Sequence, residues 1–179
     1  MTAIVGLEHG GRVYMAADSA VSWGDDLVMV AREPKVWRAT PPGHAVEMVM
    51  GVAGNSSVCE QLATNGWLPE FEFGTDTRYV VSELLPAAQD VADEFEMLVG
   101  INGVLWSVSG DGAAHTSSRG MMAIGSGSHL ALGALAALFH VRPDRPAHCV
   151  QRALELIEPY SPSVLPPFAV VSSSSDSTA

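Results

Sequence analysis

Thr2-Ala3-Ile4-Val5-Gly6-Leu7-Glu8-His9-Gly10-Gly11-Arg12-Val13-Tyr14-Met15-Ala16-Ala17-Asp18 reads as two short apolar strands around a Gly10-Gly11 turn. A two-residue glycine turn between apolar runs is a strong hairpin signal. A hairpin brings its ends together, so Thr2 and Asp18 are expected as neighbours.

Beyond Asp18, Ser19 to Asp26 reads as a polar, turn-rich loop, followed by short strands at Leu27–Ala31 and Val36–Arg38. Pro41-Pro42-Gly43 is a turn, and Ala45–Ala53 runs apolar as a buried strand does. Asn55, Ser56 and Ser57 are N-cap residues for a helix at Val58–Asn65, closed by Gly66. After a loop from Trp67 to Gly74, a second helix spans about Asp76 to Ala92, adjusted near Pro86. Phe95–Ile101 and Val104–Val108 flank the hairpin dipeptide Asn102-Gly103. Gly110-Asp111-Gly112 turns the chain again, and Met121–Ile124 is the expected last strand of this meander. Helices at His129–His140 and Ala147–Ile157 and a strand at Phe168–Val171 complete the pattern. Residues 1–171 are expected to form one domain, with Ser172–Ala179 a disordered polar tail. Strands, two helices, strands, two helices and a strand suit an α+β, four-layer αββα sandwich, two antiparallel sheets between helix pairs.

Nine basic residues against twenty acidic ones leave a net charge of −11, which repels phosphate backbones and argues against nucleic-acid partners. No apolar run reaches the roughly 18 residues of a membrane span. The start lacks a basic, then apolar, leader pattern. A hydrophobic content of 47% with 16% charged residues is high for a monomer and suits burial between subunits. Cys59 and Cys149 lie far apart in helical patterns and read as reduced core thiols of a cytoplasmic protein. The six histidines show no HExxH or paired spacing, so no metal is expected. Gly125-Ser126-Gly127-Ser128 lacks the third glycine of a dinucleotide fingerprint, and Ile124 stands where a serine-hydrolase elbow needs glycine. No cofactor is expected.

The chemistry suggested is that of the chain start. If Met1 is removed, Thr2 carries both a hydroxyl and an α-amine, whose ordinary pKa of about 7.7–8.0 suits a base for its own side chain. Lys35 is the sole lysine and begins an apolar strand. A cation there would favour the deprotonated hydroxyl, and Asp18, if not simply a turn or cap residue, would hold the cation. Gly51, at the end of a buried run, suits either close packing or a backbone donor to an oxyanion. Ser126 suits either a helix cap or a partner for the Thr2 amine.

Thr2-Ala-Ile-Val, Ala17-Asp18-Ser19, Pro34-Lys35-Val36, Gly51-Val-Ala-Gly54 and Ala123-Ile-Gly-Ser-Gly127 resemble, in order, motifs of the proteasome β-subunit superfamily, most closely its HslV-type peptidases. The resemblance spans roughly residues 2–158. It implies Thr2 as nucleophile, Asp18 and Lys35 as its tuning pair, Gly51 as oxyanion donor and Ser126 as amine partner. It also implies peptide or unfolded-protein substrates, a homo-oligomeric ring and an ATPase unfoldase as partner. Ala17 and Ser19 replace glycines of the pattern, Lys35 lies one residue late, and residues 158–167 lack the family's later aspartate. A non-catalytic ring or assembly protein and a small-molecule amidase are the other functions this fold would carry.

Overall fold

The computed structural model describes residues 2–23, 27–42, 47–64, 67–69, 76–91, 94–162 and 164–174. The opening hairpin forms as read. β1 (Ile4–His9) pairs antiparallel with β2 (Arg12–Ala17), from His9 opposite Arg12 to Ile4 opposite Ala17. The turn needs two left-handed residues, supplied by Gly10 at φ 59° and Gly11 at φ 71°. β10 (Met121–Ile124) and β11 (Ala169–Ser172) flank this hairpin, giving the sheet order β10-β1-β2-β11.

A second antiparallel sheet contains β5 (Val36–Ala39), β6 (Met48–Ala53), β7 (Glu96–Ile101), β8 (Val104–Ser109) and β9 (Ala114–Thr116), in that order. Three apolar clusters hold the elements together. One lies between the sheets and includes Ile4, Val13, Met15, Val49 and Leu98. The second packs the outer face of the first sheet on α3 (Ser128–Val141) and α4 (Pro146–Ile157), through Ala131, Leu135, Val150 and Leu154. The third packs the second sheet on α1 (Ser56–Ala63) and α2 (Thr77–Val91), through Leu62, Val80 and Leu84. Covering on both faces is why β6 is buried at every position and reads as a continuous apolar run.

Four expectations are revised. Met121–Ile124 does not end the meander; it crosses to pair with β1, Ile4 opposite Ile124. That strand packs Met122 and Ile124 into the inter-sheet cluster and Met121 and Ala123 toward the helices, so it needs cover on both sides. The far edge of the second sheet, where β9 is exposed at all its residues, offers none. The loop after Asp18 contains β3 (Ala20–Trp23), paired with β4 (Leu27–Val30) in a separate ribbon; residues 24–26 lie outside the described set. The tail is ordered at its start. Ser172 ends β11, and buried Ser173 exchanges bonds with Val13, its N–H donating to Val13 O at 2.9 Å and its Oγ accepting from Val13 N at 3.0 Å. Residues 175–179 lie outside the description. Finally, α2 runs on through Pro86.

Gly100 on β7 packs against Val13 of the first sheet and against its register partner Val49 on β6. A Cβ there would stand 2.6 Å from both Val13 Cγ1 and Val49 Cγ2, ends of two β-branched chains with little rotamer freedom. Gly100→Ala is therefore expected to lower stability by about 1–3 kcal/mol, read as a reduced urea midpoint with unchanged slope.

Candidate active site

Pairing of β1 with β2 sets the two ends of the hairpin side by side. Asp18 N–H donates to Ala3 O at 3.1 Å, and Ala3 N–H donates to Asp18 Oδ1 at 2.8 Å. Asp18 Oδ2 accepts from Ala20 N–H at 2.7 Å, so the carboxylate, 1% exposed, is oriented by two backbone donors. Ser19, where the family pattern has glycine, is tied away from the site: its hydroxyl donates to Pro167 O at 2.5 Å.

Lys35, immediately before β5, reaches the pair from the second sheet. Its Nζ donates to Asp18 Oδ1 at 2.9 Å, to Thr2 Oγ1 at 3.1 Å and to Ala20 O at 2.6 Å. These three acceptors match the three N–H bonds of an ammonium. Burial pushes the Lys35 pKa below its ordinary 10.5, opposed by the Asp18 charge and hydrogen bond. The geometry is that of a charged donor. A cation 3.1 Å from Thr2 Oγ1 stabilises negative charge on that oxygen.

The turn between β10 and α3 closes over Thr2. Gly127 N–H donates to Thr2 O at 3.1 Å, and Thr2 N–H donates to Ser126 Oγ at 3.2 Å. Gly125 holds φ 85°, and a Cβ on it would collide with the Thr2 carbonyl oxygen. Glycine is required there on both counts. Thr2, Asp18, Lys35 and Ser126, separated by up to 124 positions, thus meet.

Gly51 does not join them as expected. Val52 N–H donates to Lys35 O at 3.2 Å, which makes Lys35 and Val52 a hydrogen-bonded pair. Successive residues of an antiparallel strand point their N–H groups to opposite sides, so Gly51 N–H faces Leu98, its register partner on β7. That donor is spent inside the sheet, which corrects the oxyanion role read for Gly51. Its missing side chain serves packing: a Cβ would stand 2.9 Å from Val36 Cγ1 and 3.0 Å from Ile4 Cγ2.

Two cavities meet at Thr2. The larger, about 800 Å³, extends past Lys35 to Val52, Trp37 and Cys59. The smaller, about 550 Å³, lies on the Ser126 side and is bounded by Glu94, Glu96 and Asp111. Cys59, half-buried on α1, packs against the cluster beneath the second sheet and also lines the larger cavity. Its helical spacing in the sequence signals the core contact and carries no signal for the cavity. The carbonyl of Ala20, a ligand of the Lys35 ammonium, carries no sequence signal. Among the described residues no group of His, Cys, Asp and Glu is arranged to hold a metal, and no helix is long and apolar enough to cross a membrane.

The fold is thus α+β, with two antiparallel sheets that seat Thr2 just before β1 against a buried Lys35–Asp18 pair. No protein-family model matches the chain. It is 32% identical over 150 residues to the ATP-dependent protease subunit HslV of Enterococcus faecalis, covering 76% of this chain and 75% of that protein. Its fold is similar to that of Thiobacillus denitrificans BPH in complex with epoxomicin, with a TM-score of 0.77 at 16% identity over 96% of this chain and 97% of that one. HslV from Trypanosoma brucei gives a TM-score of 0.72 at 20% identity over 96% and 98%. The chain belongs to the HslV family of proteasome-type peptidases.

Proposed function

We propose that this chain is a threonine peptidase, active once Met1 is removed. The reading rests above all on Lys35 Nζ bridging Asp18 Oδ1 and Thr2 Oγ1. The free Thr2 amine takes the hydroxyl proton while Oγ1 bonds to the scissile carbonyl carbon. Lys35, held charged by Asp18, stabilises the attacking oxygen, and Ser126 Oγ orients the amine. The amine then returns its proton to the leaving nitrogen as the C–N bond breaks. Water attacks the acyl-Thr2 ester by the same route, releasing a carboxylic acid and restoring the hydroxyl.

In this reading the three apolar clusters stack as a four-layer αββα sandwich. On the same reading the chain also works in the cytoplasm as a homo-oligomeric ring that receives unfolded protein from an ATPase; the Enterococcus relative, named an ATP-dependent protease subunit, supports the ATP dependence and the multi-subunit setting. The test is intact mass of the purified protein, followed by labelling with a threonine-directed electrophile, epoxomicin first. The expected result is a mass lacking Met1 and one adduct per chain on Thr2. Retained Met1, or assembly without any adduct, sinks the reading in favour of a non-catalytic assembly protein. Hydrolysis of small amides but of no peptide would favour an amidase.

The pH–rate profile should be bell-shaped. The rate should rise as the Thr2 amine loses its proton near its ordinary pKa of about 7.7–8.0. It should fall again when Lys35 loses its charge. Burial weakens the folded chain's hold on that proton, so the alkaline fall begins below the ordinary lysine value of 10.5. A kcat/KM profile still flat at that pH would remove the Lys35 charge from the mechanism.

A further inference from the structure

Thr2 N–H donates to Ser126 Oγ at 3.2 Å, and Gly127 N–H donates to Thr2 O at 3.1 Å, so the Thr2 amine is placed by the turn 125–127. That turn begins where β10 ends, at Ile124 opposite Ile4, and Gly125 lies beyond the paired register. Its carbonyl accepts from Ser128 N–H at 3.1 Å at the start of α3. Its N–H donates to a side chain of the second sheet, Glu96 Oε2, at 2.8 Å.

The backbone of Glu96 is firmly held. β7 is the middle strand of five, and Glu96 is paired with Ala53 on β6 and with Ser109 on β8. It is exposed, whereas the other five residues of β7 are buried. Glutamate is disfavoured in strands, and at the head of this one the bond to Gly125 gives it a task. Glu94 and Asp111 bound the same cavity, but Asp111 serves its own turn, accepting from Ser109 Oγ at 2.5 Å and from Ala113 N–H at 3.1 Å. A Cβ on Gly125 would collide with Thr2 O, so the turn lies directly on Thr2 and a shift of one is passed to the other. Two side chains of the second sheet thus act on Thr2: Lys35 on its hydroxyl, and Glu96, through the turn, on its amine.

We propose that Glu96 is a positioning residue for the reaction: its carboxylate fixes Gly125, and with it the Ser126 hydroxyl that orients the Thr2 amine for proton transfer. This rests on Thr2 being the nucleophile. The bond lies at the open mouth of the smaller cavity, where water replaces a lost acceptor, so its removal costs placement rather than folding. A reacting group misplaced by about 1 Å typically loses on the order of 10²-fold in rate.

The experiment compares Glu96→Ala and Glu96→Gln with the wild type, each as Met1-free assembled protein. Glutamine keeps an oxygen acceptor at the same reach without the charge; alanine removes both. Two substrates share one acyl part: a peptide ending in a small fluorogenic amine, and a peptide extended by several residues past the scissile bond. Glu96→Ala should lower kcat about 10–100-fold on both, with KM and the thermal midpoint little changed. Glu96→Gln should keep most of the wild-type kcat. Amide hydrogen exchange over residues 125–127 should quicken in Glu96→Ala and not in Glu96→Gln. If Glu96→Ala does not fold, Glu96→Asp takes its place, one methylene short of Gly125. Wild-type kcat in the shortened variant overturns the role given to Glu96, and so does a loss shared equally by Glu96→Gln. A loss confined to the extended peptide makes Glu96 a substrate contact and overturns it as well. A wild type that cleaves neither substrate overturns the peptidase reading itself.

Discussion

Thr2→Ala should abolish peptide hydrolysis while leaving the chain folded. Removing the nucleophile of a covalent mechanism typically costs roughly 10⁴–10⁶-fold in kcat. Stability should change little. Thr2 is 5% exposed, but the substitution deletes only a hydroxyl and a methyl group at the start of β1. Lys35 loses one acceptor and keeps Asp18 and Ala20, a loss of about 1–2 kcal/mol at most. Alanine is also small, so removal of Met1 should proceed as in the wild type, and intact mass checks it. Thr2→Ser supplies the complementary case, because it restores a hydroxyl at the same atom. An active Thr2→Ala protein would end the threonine-peptidase reading. Matching thermal unfolding of variant and wild type would ensure that lost activity reflects chemistry.

Lys35→Met should abolish turnover as well, and here stability should fall too. The methionine keeps most of the side-chain length and removes the charge. Asp18 is then a carboxylate at 1% exposure without its counter-ion. Breaking one side of a buried pair typically costs about 3–5 kcal/mol. The N–H groups of Ala3 and Ala20 still solvate the carboxylate, which places the expected cost toward the lower end. Adding Asp18→Asn to Lys35→Met removes the orphaned charge, so the double variant should regain part of the stability and none of the activity. That split separates two roles of one lysine, structural through Asp18 and chemical through Thr2 Oγ1. Recovery of activity in the double variant, or full activity in Lys35→Met, would make the lysine incidental to catalysis.

Much of the site was legible because its informative parts are local. Gly10-Gly11 between apolar runs dictates a hairpin, and a hairpin necessarily juxtaposes its ends, so Thr2 and Asp18 could be paired from composition and spacing alone. Lys35 stood out as the sole lysine of an acidic chain, and Ser126 by the glycines around it. The helices were legible from apolar spacing and stop signals, with Asn55 as cap and Pro143 beyond α3.

What could not be read depends on which strand lies beside which. An apolar run such as Met121–Ile124 fits any position with two covered faces, and nothing within its four residues names β1 as neighbour. The side to which Gly51 directs its N–H follows from the Lys35–Val52 pair across β5 and β6, a parity that a one-residue slip would reverse. Helical periodicity placed Cys59 on an inward face without showing that a cavity lies there beside the core. Ser173 reads as tail because serine has no apolar pattern, yet its bonds to Val13 are made 160 positions away.

The sequence by itself determined the hairpin, its hydroxyl and carboxylate ends, and the kinds of group available to act on them, because turns and alternation are properties of neighbouring residues. Tertiary structure decided which groups meet. Sheet register consumed the Gly51 donor, brought Lys35 Nζ within 3.1 Å of Thr2 Oγ1 and opened cavities on both sides of it. Those outcomes arise from pairing between distant strands, where hydrogen bonds and burial are shared by residues that no local pattern relates.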